Sequence, residues 1–340
     1  MSPSVIFDAV MLGFEYSLLA VGIYISFRIL DMADLTVDGS FCLGMAVSAT
    51  CAVAGHPVLG LVLGCVAGAA AGCVTGLLIT RAKINPLLAG IISMTGLYSV
   101  NIYVLGGPNV SLLDAPKAYD TFVTLAKGVL KVSQVKMVFI VVLVAAIVAV
   151  LAAFLHTESG LAMRATGDNE DMCRASSINT NLMKVVGLAV ANCLVGLTGA
   201  LLAQYQGYAD MGSGTGMVMV GLASVIIGEL FGGRRGVTAG LVCSVVGSVV
   251  YRLIIQSALM VNFIDSNALK LISACIVAVF MGAPAVRDAI RSSKQKKVAR
   301  EKAEAYELAL ASAATAGSTT AAGSPAGAAP SDDATTEGGR

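Results

Sequence analysis

The chain has 340 residues, of which 56% are hydrophobic and 13% charged, with a mean hydropathy of +0.83 and a formal net charge of +1. Soluble domains carry roughly 25% charged residues, so this chain has too little polar surface to cover a soluble core of its size and belongs in a bilayer. The near-neutral charge gives no reason to expect nucleic acid as a partner.

The first apolar run, Ile6–Phe27, has no Lys or Arg before it, so no cleavable signal peptide is expected. It carries Glu15, a carboxylate that is costly inside a bilayer and therefore a candidate for the translocation pathway; the plainer reading is a contact with a neighbouring helix. "RILDMADLTVDGS" follows, with Asp31, Asp34 and Asp38. Asp38 precedes a new apolar run and is expected to cap it; Thr36 does so if the helix starts two residues earlier. The other reading of this stretch is a pathway lining at an interrupted helix, with Thr36, Asp38 and Ser40 facing a cavity.

The second span, Gly39–Ala54, is short. The third, Pro57–Thr80, places Gly60, Gly64, Gly68, Gly72 and Gly76 at four-residue spacing, a smooth groove for a neighbouring helix. The fourth, Pro86–Leu105, carries Asn101, which suits either an interhelical hydrogen bond or the pathway. The fifth is Lys136–Leu155.

Next comes "SGLAMRATGDNEDMCRASSINTNLMK", which sets three basic and three acidic side chains among eight amides and hydroxyls in an otherwise apolar chain. Ser159-Gly160 and Gly167 are expected to break it into two pieces. Thr166 or Asp168 would cap the second, with Asp171 in its first turn. Mixed charges suit a protein contact better than a lipid contact, so the stretch reads as a docking element.

The sixth span, Val185–Gln204, carries Asn192 and Gln204, expected to bond between helices. "ADMGSGTG" follows, and Gly212, Ser213 and Gly214 are candidates for facing a substrate. Then come Met217–Phe231, Val237–Ile255 and Ala268–Met281, about nine spans in all. Residues 285–310 form a basic helix leaving the membrane, and 311–340 an Ala/Gly/Ser/Thr-rich tail expected to be disordered.

Arg287, Arg291, Lys294, Lys296, Lys297, Arg300 and Lys302 follow the last span, which puts the C-terminus in the cytoplasm. Counting back through nine spans puts Arg28, Arg81–Lys83, the polar stretch and Arg234–Arg235 inside as well, and the N-terminus outside. Lys117, Lys127, Lys131 and Lys136 then fall in an outside loop, against the rule. "AGHPVLGLVLG" and "GGRRGVTAGLV" each follow a short Gly-flanked span preceded by a polar loop, which suggests two inverted halves.

The chain holds no ATP-binding loop, nucleophile elbow or zinc-protease motif. It has two His with no ligand pattern beside them and eight Cys without a CxxC. Seven of the cysteines (Cys42, Cys51, Cys65, Cys73, Cys193, Cys243, Cys275) lie in apolar runs and read as small hydrophobes. No enzyme and no metal site is expected.

Three blocks carry a family resemblance. "RATGDN", Ile178-Asn179 and "GALLAQYQG" match one family pattern, and "YISFRILDMADLTVDGSFCLG" and "GLASVIIGE" match two more. Together they resemble the permease subunits of bacterial ABC importers in the branched-chain amino acid group, closest to those labelled tryptophan or tyrosine transport permeases. The resemblance covers roughly Phe14 to Pro284; Ser176-Ser177 stand where the family usually has a Gly.

The resemblance implies an all-α polytopic permease domain (1–284) in a bacterial plasma membrane, paired with a second permease protomer as a homodimer. It also implies cytoplasmic ATPase subunits that hold the ATP and Mg, and an extracytoplasmic substrate-binding protein. The polar stretch would be the coupling helix, with Arg164, Gly167, Asp168, Asn169, Glu170 and Arg174 at the ATPase contact. The implied function is ATP-driven import of a small organic solute such as an amino acid. A secondary transporter driven by an ion gradient and a non-transporting scaffold or sensor subunit are the alternatives.

Overall fold

The computed structural model describes residues 3–120, 132–232 and 236–259, with a few isolated positions beyond. A compact unit covers Met1–Met281. Among the described residues eight helices are long and apolar enough to cross a membrane. The ninth expected span, residues 268–281, and the basic and Ala-rich segments after it lie almost wholly outside the described residues, as do Lys127, Lys131 and Arg234–Arg235.

In chain order the helices are α1 (Pro3–Ile23), α2 (Thr36–Val53), α3 (Pro57–Thr80), α4 (Pro86–Leu105), α5 (Val132–His156), two short helices α6 (Glu158–Asp168) and α7 (Glu170–Ala175), α8 (Thr180–Gln206), α9 (Met217–Gly232) and α10 (Val237–Leu259). Proline opens α3 and α4, where its missing N–H costs nothing. Gly106 and Gly207 close α4 and α8 in the left-handed conformation, at φ 76° and 77°. α1 continues as a π-helical turn, Tyr24–Ile29, before Asp31 reverses the chain at φ 52°.

α1, α2 and α8 are the inner helices: 67%, 72% and 67% of their apolar windows are buried, against 22% for α4 and α5. The packing is exchanged between halves. α8 seats against α2 and α3, while α1 seats against α9 and α10. Each hairpin therefore receives the long helix of the other half. Both inner contacts are lined with small residues, so the backbones come close.

The glycine stripe of α3 shows how close. A Cβ on Gly68 would run into the Asn192 carbonyl of α8 and come within 3.1 Å of the Gly196 Cα. One on Gly76 would lie 2.8 Å from the Val185 Cα, and one on Gly64 would lie 2.9 Å from the Ala200 Cβ and 3.2 Å from the Gly44 carbonyl. A Cβ on Gly44 of α2 would meet the backbone of Gly196. Three helices thus converge where only hydrogen atoms fit between them. Gly60 faces α2 instead, with Ser48 and Cys51 at 3.0 Å from the same ideal position.

Polar side chains bond across these contacts. Gln204 Nε2 donates to Ser48 Oγ (2.9 Å) and the Pro57 carbonyl (2.8 Å), and its Oε1 accepts from Ala118 N (2.7 Å). Thr36, Thr75 and Ser93 link α2, α3 and α4 through their hydroxyls at 2.8 and 2.7 Å. In a low-dielectric interior each unmade bond would leave a costly orphan, so such ladders set register.

Two short strands that the all-helical reading did not anticipate complete the unit. β1 (Asn109–Ser111) and β2 (Tyr208–Asp210) pair antiparallel, Asn109 opposite Asp210. The ribbon ties the loop after α4 to the loop after α8 and delivers the chain into a 3-10 turn, Met211–Gly214.

Candidate functional site

That turn, the first turn of α2 and the C-terminal half of α4 line a half-open cavity of about 230 Å³ with both polar and apolar walls. Asp38, Asn101, Gly212 and Gly214 line it, together with Asp210, which the sequence left unremarked among the candidates. Tyr98, Met94 and Met211 give it an apolar side. Of the other pathway candidates, Glu15, Thr36, Ser40 and Ser213 are not part of this lining.

Asp38 does not cap its own helix. α2 begins at Thr36, and Asp34 Oδ1 accepts from Thr36 N at 2.9 Å. Asp38 lies in the first turn and reaches across to the other half, where its two oxygens accept from Gly216 N and Val218 N of α9, both at 2.9 Å. The carboxylate therefore caps the partner helix. Two helix N-termini, each bearing about half a positive charge, meet around it. Nor does Thr36 cap α2; its hydroxyl is spent on Thr75.

Asn101 is 1% exposed. Its Nδ2 donates to the Gly39 carbonyl at 3.1 Å, while its Oδ1 has no partner among the described residues. Gly214 sits against Cys42 and the Asp38 carbonyl, with no room for a side chain. The turn can approach α2 only as glycine.

Glu15 occupies a separate place. It is fully buried and accepts from Tyr119 OH at 2.9 Å. The Tyr119 ring meets Phe139 and Tyr205 edge-on, and Lys136 Nζ stands 5.9 Å from its centroid. Tyr16, next along α1, carries the Arg252 guanidinium over its face at 3.5 Å.

The polar stretch folds as α6 and α7. Its glycines do not break it, as the sequence suggested; Gly160 and Gly167 lie within α6, where they allow contact. Gly160 abuts the Phe154 carbonyl, and Gly167 abuts the Ile29 carbonyl and Leu30 at the end of α1. The break falls at Asn169, whose side chain accepts from Met172 N at 3.0 Å and caps α7. The cap is thus neither Thr166, which bonds back to the Ala162 carbonyl, nor Asp168.

Glu170 and Arg174 form a group with Lys184, Glu170 partly buried and Arg174 exposed. Glu170 pairs with Arg174 and with Lys184 of α8, both at 2.7 Å, and Arg174 Nε also reaches Thr180 Oγ1. The bond from Lys184, with Arg174 beside it, holds the Glu170 carboxyl below its ordinary value of 4.5. Asp168, Asp171 and Met172 stay exposed, and Arg164 is half-buried.

A packed route joins the two regions. Gly167 touches Ile29 and Leu30, and Gly187 of α8 touches the Leu30 side chain. Four residues on, Asp34 is bonded to α2 and, through Asn192 Nδ2 at 2.6 Å, to α8. Burial raises the Asp34 carboxyl above its ordinary value, and the Thr36 and Asn192 bonds oppose that. From Asp34 the chain enters the turn that carries Asp38. At the same end of α1, Arg28 pairs with Glu229 of α9 at 2.7 Å.

Among the described residues no cluster of His, Cys, Asp and Glu could hold a metal. Residues 5–284 match the family of the permease component of branched-chain amino acid transport systems. The chain is 31% identical over 283 residues to a tyrosine transport system permease protein of Clostridioides difficile, covering 83% of this chain and 92% of that one. It is 32% identical over 218 residues to the ribose import permease protein RbsC of Bacillus subtilis, covering 62% and 64%. The Escherichia coli RbsC is 27% identical over 203 residues, covering 58% and 59%. No solved structure matches the chain. With the match running from the first helix to the end of the compact unit, this chain belongs to the permease-component family of branched-chain amino acid transport systems.

Proposed function

We propose that this chain is the membrane subunit of an ATP-driven importer of a small organic solute, an amino acid or a close relative of one. ATP and Mg act in a separate cytoplasmic ATPase, a binding protein delivers the solute from outside, and a second copy of the chain completes the pathway. The membrane is the bacterial plasma membrane, with the C-terminus inside and the N-terminus outside. The observation that carries this reading is the packed route from the α6–α7 segment, through Ile29, Leu30 and Asp34, to the cavity beside Asp38. A push on that segment then moves the first turn of α2 and alters the cavity, as alternating access requires. The relative's name as a tyrosine permease supports the solute class. Glu15 lies off the cavity, which weakens the ion-coupled alternative.

The test is co-purification with the ATP-binding protein encoded beside it, followed by ATPase and uptake measurements in liposomes. Arg164→Glu and Asp168→Arg leave the Glu170 cluster intact. The reading expects a stable complex whose hydrolysis these reversals uncouple. No associated ATPase, or reversals without effect, would hand the case to the ion-driven or scaffold reading.

A further inference from the structure

The lining of the cavity is one-sided. Among the described residues its charged groups are Asp38 and Asp210, with no Lys, Arg or His in the lining. Among the described residues Asp210 has no ion-pair partner. Asp38 occupies the place an anion would take, between the N-termini of α2 and α9, and accepts both N–H groups that point there. Those two helix ends together offset about one negative charge. The second carboxylate is left over. Asn101 also lines the cavity, and its Oδ1 has no partner among the described residues although the residue is 1% exposed. Its orientation is fixed, because the amide nitrogen is held by the Gly39 carbonyl.

A buried acceptor without a donor is costly, and two carboxylates at one cavity favour a cation between them. One ligand group resolves both. An ammonium carries one positive charge and three N–H donors, and no acceptor. Asp210, Asn101 Oδ1 and the free lone pairs of Asp38 supply three acceptors. Tyr98, Met94 and Met211 offer an apolar, partly aromatic wall to the rest of the solute, and an aromatic face also favours a cation.

We propose that this cavity is a recognition site for the ammonium group of the transported solute, with Asp210 as the counter-charge, Asn101 as the neutral acceptor and Asp38 as the fixed bridge between the halves. The proposal rests on the reading of the chain as a permease and adds to it which end of the solute these residues hold. A solute carboxylate is not bound here, since its natural place at the helix ends is already taken by Asp38.

Ligand-observed saturation-transfer NMR on the full chain in lipid nanodiscs tests this without any ATPase. The probes are tyramine, L-tyrosine, 3-(4-hydroxyphenyl)propionate, which keeps the ring and carboxylate but lacks the ammonium, and D-ribose. Tyramine, the propionate and ribose are used at roughly 10 mM, above the millimolar Kd of a weak site, and L-tyrosine at its solubility limit. Tyramine and L-tyrosine are expected to bind, and the propionate and ribose at least tenfold more weakly. Asp210→Asn and Asn101→Leu should each weaken tyramine tenfold or more while keeping the helical circular dichroism of the wild type. Equal binding of tyramine and the propionate, preference for ribose, or no amine binding at all overturns the proposal. So does unchanged tyramine affinity in a folded Asp210→Asn chain. The wild-type probe pair decides the matter even if a variant does not fold. Because no ATPase is present, loss of ATP-driven uptake would sink the importer reading while leaving this result standing, and the converse also holds.

Discussion

Replacing Gly68 by alanine should measure how tightly the centre of the unit is closed. The added methyl has no soft neighbour to displace. It meets the Asn192 carbonyl and comes within 3.1 Å of the Gly196 Cα, so backbone must move against backbone. Overpacking of this kind costs about 1–3 kcal/mol, and alanine returns at most ~1 kcal/mol through its better helix propensity. The net expectation is a loss of about 1–2 kcal/mol.

Two other glycines calibrate the measurement. At Gly96 of α4 nothing lies within 4 Å of the new Cβ, so only the propensity gain remains. At Gly60 the neighbours stand at 3.0 Å, and a shift of a few tenths of an ångström should bring the change near neutral. The predicted order of thermal stability is therefore Gly96→Ala above wild type, Gly60→Ala close to it and Gly68→Ala clearly below. Gly68→Leu should fail to yield a monodisperse protein. The chain contains no Trp, so melting is best followed by circular dichroism. A Gly68→Ala protein as stable as Gly96→Ala would mean that α3 and α8 do not approach as described, and the reasoning would fall.

Removing the bridge with Asp38→Ala orphans the Gly216 and Val218 N–H groups and should cost about 1.5–3 kcal/mol per charged bond lost, less for Asp38→Asn, read as a lowered melting temperature. For Glu170 the folded-state value is depressed, so its stabilising contribution is present above the ordinary value of 4.5 and fades as pH falls below it. The group is 31% exposed, which limits the contribution to under ~1 kcal/mol, and hydrogen exchange of α7 should rise only in that acidic window. At neutral pH, Glu170→Gln should open Cys173, a buried thiol on α7, to maleimide; unchanged labelling would refute the role of this cluster in seating α7. Glu15→Gln keeps an acceptor for Tyr119 and should be tolerated, whereas Glu15→Ala leaves that buried hydroxyl unpaired at about 1–3 kcal/mol. Equal melting temperatures for the two would contradict the buried bond.

Much of this molecule is legible in local pattern. Pro57–Thr80 and Pro86–Leu105 coincide with α3 and α4 residue for residue, because proline at one end and a polar or glycine break at the other punctuate an apolar run. The five-glycine stripe announced a close helix contact from spacing alone. Asn101 and Gln204 announced interhelical hydrogen bonds, because an amide in an apolar span has few other options, whereas Asn192 bonds to Asp34 in the turn before α2. The polar stretch stood out against its surroundings for the same reason.

What lay beyond reach were the partners. Asp38 looked like a local cap, since aspartate before a helix usually is one; its actual donors lie 178 and 180 residues away. Gly160 and Gly167 looked like breaks, since local rules read glycine as punctuation, yet a neighbouring carbonyl makes each a contact point. Asp210 drew no notice among loop residues until a two-stranded ribbon, pairing it with Asn109, carried it to the cavity that Asn101 also lines. By itself the sequence determined where helices run and which faces are smooth or polar, because those properties follow from backbone chemistry within a few turns. Only the tertiary structure decided which polar group meets which, because the exchange of long helices between the two halves brings together residues that no local pattern relates.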